Sequence, residues 1–452
     1  MNPAAMPPAR RPRSEGSGGN AALLRHLLNR AGQVPAGRVA RQVVFIAALL
    51  IAWISLKPFQ SLSDLDLANI VTGQEGLTYA TFGILAATAF VLVFASHRRA
   101  LLACLSPATL ALAAWLCLSV VLSQDPVTSA KLLFLTAAVV VVTACLLLLP
   151  RSREELRNLL AAAALILLAA CYTGLVLMPE YAIHQPRDYL EPALAGNWRG
   201  TFGHKNAAAA VMAMMLFLGV GVFRSGGRVS GAAIAIAAGV FLVGCEGKSA
   251  FALCLVVFAI TASFGVVRAF PLRVLLTLGP VLLFNVLSVG TVVSDRISAM
   301  VAALPVDATF TGRTMIWRFA IEEIGKRPIA GYGFAAFWGG QTVREVSDDG
   351  NTWAGYAAHS HNGYVDTLLT LGGVGLVLTL LVLVLAPLQD HQRASADGGE
   401  ATPLATMFLQ IWLFGLLLSC MESFFYDRAD PIWITFLFAV FGLRYLARFA
   451  TR

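Results

Sequence analysis

Apolar runs about as long as a membrane is thick recur from one end of this chain to the other. KLLFLTAAVVVVTACLLLLP (131–150) is one: it holds a single charge, at its start. Roughly 20 apolar residues cross about 30 Å of hydrocarbon as a helix, because only a helix satisfies every backbone polar group within its own segment. The sequence contains twelve such segments, at about 42–58, 77–95, 101–122, 131–149, 158–178, 206–223, 230–245, 249–267, 272–290, 365–386, 404–422 and 431–449. A β-barrel would show short alternating stretches instead. The expected fold is therefore an all-α polytopic membrane protein. Composition agrees: 58% of residues are hydrophobic and 13% charged, about half the charge of a soluble domain.

Residues 1–40 depart from this pattern. MNPAAMPPARRPRSEGSGGN is rich in Pro, Gly, Ser and Arg; it reads as a disordered basic tail. It lacks the short apolar region of a cleavable signal, so the first span is expected to direct insertion. The remainder, 41–452, reads as one transmembrane domain. The seven cysteines lie mostly inside apolar runs and form no Cys-x-x-Cys pair, which suits small buried side chains.

Arginine sets the orientation. Placing the N-terminus inside puts Arg98–Arg99, Arg151, Arg153, Arg157, Arg224, Arg228, Arg268, Arg273, Arg393, Arg444, Arg448 and Arg452 on the same side as the basic tail. Every short inner loop is then basic, as the positive-inside bias requires. Both termini are expected to be cytoplasmic. The net charge of +8 belongs to those loops, and no nucleic-acid partner is expected.

The chemistry should lie on the outer side, in 59–76, 179–205, the Cys-Glu-Gly-Lys turn at 245–248, and above all 291–364. A connection that long is rarely idle. Within it, TGRTMIWRFAIEEIGKRP (311–328) reads as an amphipathic helix with Thr311 as N-cap and Pro328 as its stop. Arg313 falls in its first turn, where acids are the usual residents.

Each candidate residue has a functional and a plain reading. Arg313 and Arg199 suit bidentate recognition of phosphate, or they snorkel at the headgroup level. In GNWRGTFGHKNAAAA (196–210), Arg199, His204, Lys205 and Asn206 directly precede the sixth span. Asn206 suits a helix cap, and Lys205 also suits a membrane interface. Lys248 either pairs with Glu246 to keep a turn soluble or faces a polar cavity. In AAHSHNGY (357–364), His359 and His361 are candidate proton acceptors, and Asn362 either caps the tenth span or orients a ring. No carboxylate or Cys stands at ligand spacing within that motif, so no metal is expected there. Asp348 and Asp349 read as solvated loop acids.

Taken in order, these pieces resemble the O-antigen ligase/polymerase superfamily. The resemblance rests on Gly312-Arg313, Trp317, Pro328 with Gly331-Tyr332-Gly333, His361-Asn362 and Gly372-x-x-Gly375. GTFGHKN (200–206) resembles the version in ExoQ-type exopolysaccharide polymerases, and GKSA (247–250) a basic-residue-Ser/Thr-Ala element of that group. His359 is an extra histidine relative to the pattern. The resemblance covers about residues 40–450. It implies a glycan transferase of the bacterial inner membrane. The donor would be an oligosaccharide on undecaprenyl diphosphate, and the acceptor a hydroxyl on a growing polymer or a lipid core. A flippase and a chain-length regulator are the partners implied, and no cofactor. In that setting His361 would be the base and Arg313 the cation for the leaving diphosphate, with Arg199, His204, Lys205, Asn206, Lys248, His359 and Asn362 binding substrate. Without a carboxylate pair to form a glycosyl intermediate, single displacement with inversion is expected. A twelve-span transporter, or an export component without catalysis, is the rival reading.

Overall fold

A computed structural model describes residues 36–62, 76–188, 191–304, 310, 312–338, 340, 343, 357–395 and 402–449. Residues 1–35 of the expected tail, Thr311, Asp348, Asp349 and most of the acidic 59–76 stretch lie outside these residues; residues 36–40, expected in the disordered tail, are instead the first turn of a helix. Each of the twelve apolar segments is helical. They correspond to α1 (Ala36–Ile54), α2 (Gly76–Ala103), α3 (Pro107–Val121), α4 (Pro126–Leu146), α5 (Arg153–Leu177), α6 (Lys205–Arg224), α7 (Arg228–Gly244), α8 (Lys248–Val266), α9 (Phe270–Leu287), α11 (Gly363–Leu380), α12 (Pro403–Leu418) and α13 (Pro431–Arg448). The expected loop helix is α10 (Arg313–Lys326). Among the described residues, nine helices are long and apolar enough to cross a membrane, and α3, α7 and α12 are shorter. The chain is thus an all-α polytopic membrane protein.

Helix ends follow local chemistry. Ser106, Asp125, Ser152, Thr402 and Asp430 each cap the helix that follows with a side-chain oxygen, satisfying amides that have no intrahelical acceptor. Between α2 and α3 the sequence suggested a basic loop at 96–100. Instead α2 runs on to Ala103 across one non-helical residue, His97 (φ −127°, ψ 26°), so Arg98 and Arg99 sit on a short helical extension.

α6 and α12 form the centre of the bundle. α6 is rich in Ala and Gly, which lets α7 approach at backbone distance. A Cβ on Gly231 would lie 2.3 Å from the Phe223 nitrogen, and one on Gly219 would lie 2.6 Å from the Ala235 nitrogen. In lipid, where apolar burial drives little association between helices, such close van der Waals packing holds them together.

The helix that starts at the His-Asn pair is interrupted. Gly372 takes a left-handed conformation (φ 67°, ψ −174°) and breaks α11 in its middle. The turn Pro328–Gly333 fills the break. Tyr332 and Gly333 donate their amides to the carbonyls of Leu369 (3.0 Å) and Thr370 (2.9 Å), and Gly373 donates to Pro328 (2.8 Å). A Cβ on Gly372 would meet the Ile329 oxygen at 2.0 Å, and one on Gly331 would meet Thr370 backbone at 2.6 Å. The two glycine motifs of the sequence are therefore two halves of one joint. The joint is packed with protein backbone, unlike the open broken helices of transporters. Beside it, Val289, Trp317, Ala320, Tyr332, Val365 and Leu369 bury one another in a second, smaller core. That core clamps α10 onto α11 and so sets the position of Arg313.

Candidate functional site

Three segments converge at one end of the bundle: the start of α10, the turn before α11, and the connection between α12 and α13. Each is fixed by a separate anchor. Gly312, at φ +83°, turns the chain into α10 so that Arg313 is its first residue. Trp317, one turn on, is buried and donates its indole N–H to the Ser360 carbonyl at 2.8 Å. Asp366 of α11 accepts from the Ser360 amide (3.1 Å) and from Trp338 Nε1 (2.8 Å). These bonds hold His359–Asn362 in a tight turn in which His361 has φ +54°, a conformation that costs an L-residue energy and persists only where its surroundings impose it.

Asn362 is the cap of α11. Its Oδ1 accepts from the amides of Tyr364 and Val365, both at 3.1 Å, and its Nδ2 donates to Asn285 Oδ1 (2.9 Å) and the Cys420 carbonyl (3.1 Å). The residue is fully buried and its hydrogen-bonding capacity is spent. Of the two readings from sequence, capping is the one the geometry supports, and Asn362 has no spare atom for substrate.

The hub of the cluster is Glu422. Its Oε1 accepts from Arg313 Nη2 at 3.1 Å and from Asn206 Nδ2 at 3.3 Å, and its Oε2 lies 3.3 Å from His361 Nδ1. Arg313 also donates from Nη1 to the Met421 carbonyl. Burial by itself would raise the Glu422 pKa. The hydrogen bond from His361 and the charge of Arg313 outweigh it and hold the carboxyl at about 2, so Glu422 is an anion throughout the physiological range. His359 is pushed down to about 4, by burial first and then by His361, and is neutral at pH 7.

A backbone amide and a carboxylate assign different tautomers to the two histidines. The His361 amide donates to His359 Nδ1 at 3.2 Å, so a neutral His359 carries its proton on Nε2 and presents a donor. His361 Nδ1 faces a carboxylate, which places a proton on that nitrogen and leaves Nε2 with a free lone pair. A base held by a carboxylate through its other nitrogen is the orientation general-base catalysis needs. The ring centroids are 4.1 Å apart, so the pair offers one acceptor and one donor side by side. His359, His361 and Glu422 also have ligand atoms within 4.8 Å of one another, the donor set of a His₂-carboxylate metal site. The carboxylate missing from the motif is thus supplied from 61 residues downstream.

The other candidates lie elsewhere at this end. Asn206 was expected as a cap; His204 does that work, accepting from the Asn206 amide at 3.0 Å, which frees the Asn206 side chain for Glu422. His204 Nε2 is 2.6 Å from Glu191 Oε2. Its ring lies against that of His184, whose Nδ1 is 2.9 Å from Asp188 Oδ2 and whose Nε2 accepts from the Lys205 amide at 3.2 Å. Arg199 is fully buried, with Nη2 on the Gln60 carbonyl (2.8 Å) and Nη1 on the Phe202 carbonyl (3.3 Å). It holds a loop and is not presented to a ligand at the surface. Lys248 is exposed at the start of α8; among the described residues its ammonium forms no ion pair with Glu246. Glu422 was not singled out from sequence. Its only signal there was an acid closing an apolar run, and charge so near hydrocarbon marks a functional-site candidate.

Comparison with known proteins bears out the resemblance. Residues 212–380 match the O-antigen ligase family. The chain is 26% identical over 138 residues to the exopolysaccharide production protein ExoQ of Rhizobium meliloti, covering 29% of this chain and 30% of that protein. It is 28% identical over 107 residues to a protein of Rickettsia felis named "Putative polysaccharide ligase", covering 23% of this chain and 26% of that protein. The chain therefore spans less than a third of the length of either relative. The family match contains Lys248, Arg313, His359, His361 and Asn362. It stops short of Arg199–Asn206 on one side and Glu422 on the other.

Proposed function

We propose that this chain, with its O-antigen ligase region, is a glycosyltransferase that moves an oligosaccharide from an undecaprenyl diphosphate carrier to a hydroxyl of a glycan acceptor. The observation that carries the reading is the Arg313–Glu422–His361 cluster, in which one carboxylate joins a fixed cation to an oriented base. In the step, His361 Nε2 takes the proton of the acceptor hydroxyl. The acceptor oxygen bonds to the anomeric carbon as that carbon's bond to the diphosphate oxygen breaks. The electron pair leaves with the diphosphate, whose charge Arg313 stabilises through N–H groups not used on Met421 and Glu422. In this reading His359, donating from Nε2, and Lys248 assist in binding sugar and diphosphate. A single displacement inverts the anomeric centre.

A site at the end of the bundle suits a donor whose lipid stays in the membrane. An apolar groove of about 650 Å³ between α3, α4 and α13, with Tyr426 among its lining residues, offers such a chain a path. We propose that the step needs no metal, since the guanidinium of Arg313 can neutralise the charge of the leaving diphosphate. The GTFGHKN element at 200–206 favours repeat-unit polymerisation over ligation to a lipid core. The site then faces the outside of the inner membrane, with both termini in the cytoplasm.

The test is turnover by the purified, metal-depleted protein in liposomes with lipid-linked repeat unit, excess chelator and no ion gradient. The expected products are a ladder of polymer and free undecaprenyl diphosphate. No product without a gradient would favour the transporter. Loss restored only by a divalent cation would make the histidine–carboxylate cluster a metal centre. Transfer only to lipid core would make the chain a ligase.

A further inference from the structure

The opposite end of the bundle holds a second feature that the proposed reaction does not use. α12 runs about 24 Å from Pro403 to Leu418. Glu422 lies just beyond its far end, and Leu404, at its near end, lines a cavity of about 830 Å³. The rim is basic: Arg98 and Arg99 stand on the extension of α2 past the break at His97, and Arg151 and Arg153 flank the start of α5. All four are exposed, and none of the lining residues is acidic. Among the described residues, the guanidinium groups of Arg98, Arg99 and Arg151 form no ion pair, although the Arg151 amide donates to Glu155 Oε2 at 2.8 Å. Ser152 caps α5 by accepting from the Glu155 amide at 3.1 Å, and the Glu155 carboxylate is taken up by Arg38 and the Arg151 amide, so the positive field at the rim is that of the arginines. Beneath the rim the wall turns apolar, with Leu148, Phe408 and Leu446 among its residues.

We propose that this cavity binds an anionic phospholipid, its phosphate on the arginine rim and an acyl chain along the apolar wall. Three observations favour a lipid over a soluble phosphate. The cavity is of a size that accommodates an organic ligand, and an inorganic phosphate would fill a small part of it. Its depth is apolar. It lies where α2 ends and α5 and α12 begin, and each exposed arginine there would add to the affinity for anionic lipid. Of the basic inner segments expected from sequence, two come together around one cavity. Arg224 and Arg228, at the same end, lie outside it.

The experiment is native mass spectrometry of the detergent-purified chain with phosphatidylglycerol and phosphatidylcholine of identical acyl chains. Phosphatidylglycerol should be retained about tenfold or more over phosphatidylcholine. The triple variant Arg98→Gln/Arg99→Gln/Arg151→Gln should bring the two within about twofold with an unchanged melting temperature in phosphatidylcholine. Arg224→Gln/Arg228→Gln should leave the preference intact. Leu148→Trp fills the apolar wall and leaves the rim charge in place; it should also abolish retention, and it serves if the triple variant does not insert. Equal retention of both lipids by the unaltered chain would overturn the proposal. So would a preference that survives the triple variant, or one lost equally in the Arg224/Arg228 variant. Displacement of the phospholipid by millimolar inorganic phosphate would make this a soluble-phosphate site and overturn the lipid assignment.

Discussion

Replacing Glu422 with glutamine tests the hub of the site while hardly changing its shape. Glutamine is isosteric with glutamate, so packing against the α12–α13 connection is kept. What is lost is the charge that Arg313 and His361 share. A carboxyl held at about 2 in place of its usual 4.5 reports roughly 3 kcal/mol of net preference for the ionised form. If that preference is what orients the base and fixes the cation, Glu422→Gln should lower turnover by about 10²-fold. Glu422→Asp keeps the charge on a shorter stem and should stay within about tenfold of the unaltered chain. The assay is polymer formed per unit of membrane-inserted protein, with lipid-linked repeat unit as the accumulating species. Turnover in the glutamine variant within about threefold of normal would refute the role of Glu422 as positioning residue. Equal losses in the glutamine and aspartate variants, with less inserted protein, would mean that Glu422 only holds the fold.

Further predictions concern its neighbours. Arg313→Lys should fail nearly as badly as Arg313→Ala, by roughly 30-fold to 1,000-fold. A lysine ammonium cannot bridge the Met421 carbonyl and Glu422 while facing a diphosphate; near-normal polymer from the lysine variant would remove Arg313 from the site. His361→Ala should abolish polymer, a loss of about 10² to 10⁴, while His359→Ala should be milder; equal losses at normal abundance would mean that the rings act jointly. His359 also sets an acid limit. Its folded-state pKa lies near 4, below the usual 6.5, so the unfolded chain takes the proton first. Stability is full above about 6.5 and falls by up to roughly 3 kcal/mol as the pH drops toward 4. Thermal unfolding across that range should show the decline in the unaltered chain and a flatter profile in His359→Gln. Gly372→Ala should prevent accumulation of folded protein, because its Cβ would meet the Ile329 oxygen at 2.0 Å in a left-handed conformation, whereas at Gly373 the nearest atom is the Pro328 oxygen at 3.3 Å. Gly373→Ala should therefore accumulate far better, and equal abundance of the two variants would contradict the joint between α11 and the Pro328–Gly333 turn.

Read alone, the sequence determines what local physics decides. A run of about 20 apolar residues has to be helical in lipid, so every expected span is a helix. The helix of α10 and the cap at Asn362 are local in the same way. The order of the motifs was enough to carry the family resemblance, and it placed His361 and Arg313 in one loop. Tertiary structure decided which of these groups meet. Arg313 and His361 are joined through Glu422, which arrives from the α12–α13 connection and had no sequence neighbour to betray it. Packing also separated look-alikes. Arg199 and Arg313 read the same as outer-face arginines, yet the first is buried on backbone carbonyls and the second pairs with a carboxylate. Asn206 and Asn362 both read as caps; only Asn362 is one, because His204 stands two residues before Asn206 with its own acceptor. The break at Gly372 was hidden for a related reason. A glycine inside an apolar run looks like ordinary helix packing until the segment that replaces its hydrogen bonds, some forty residues earlier, folds back to meet it.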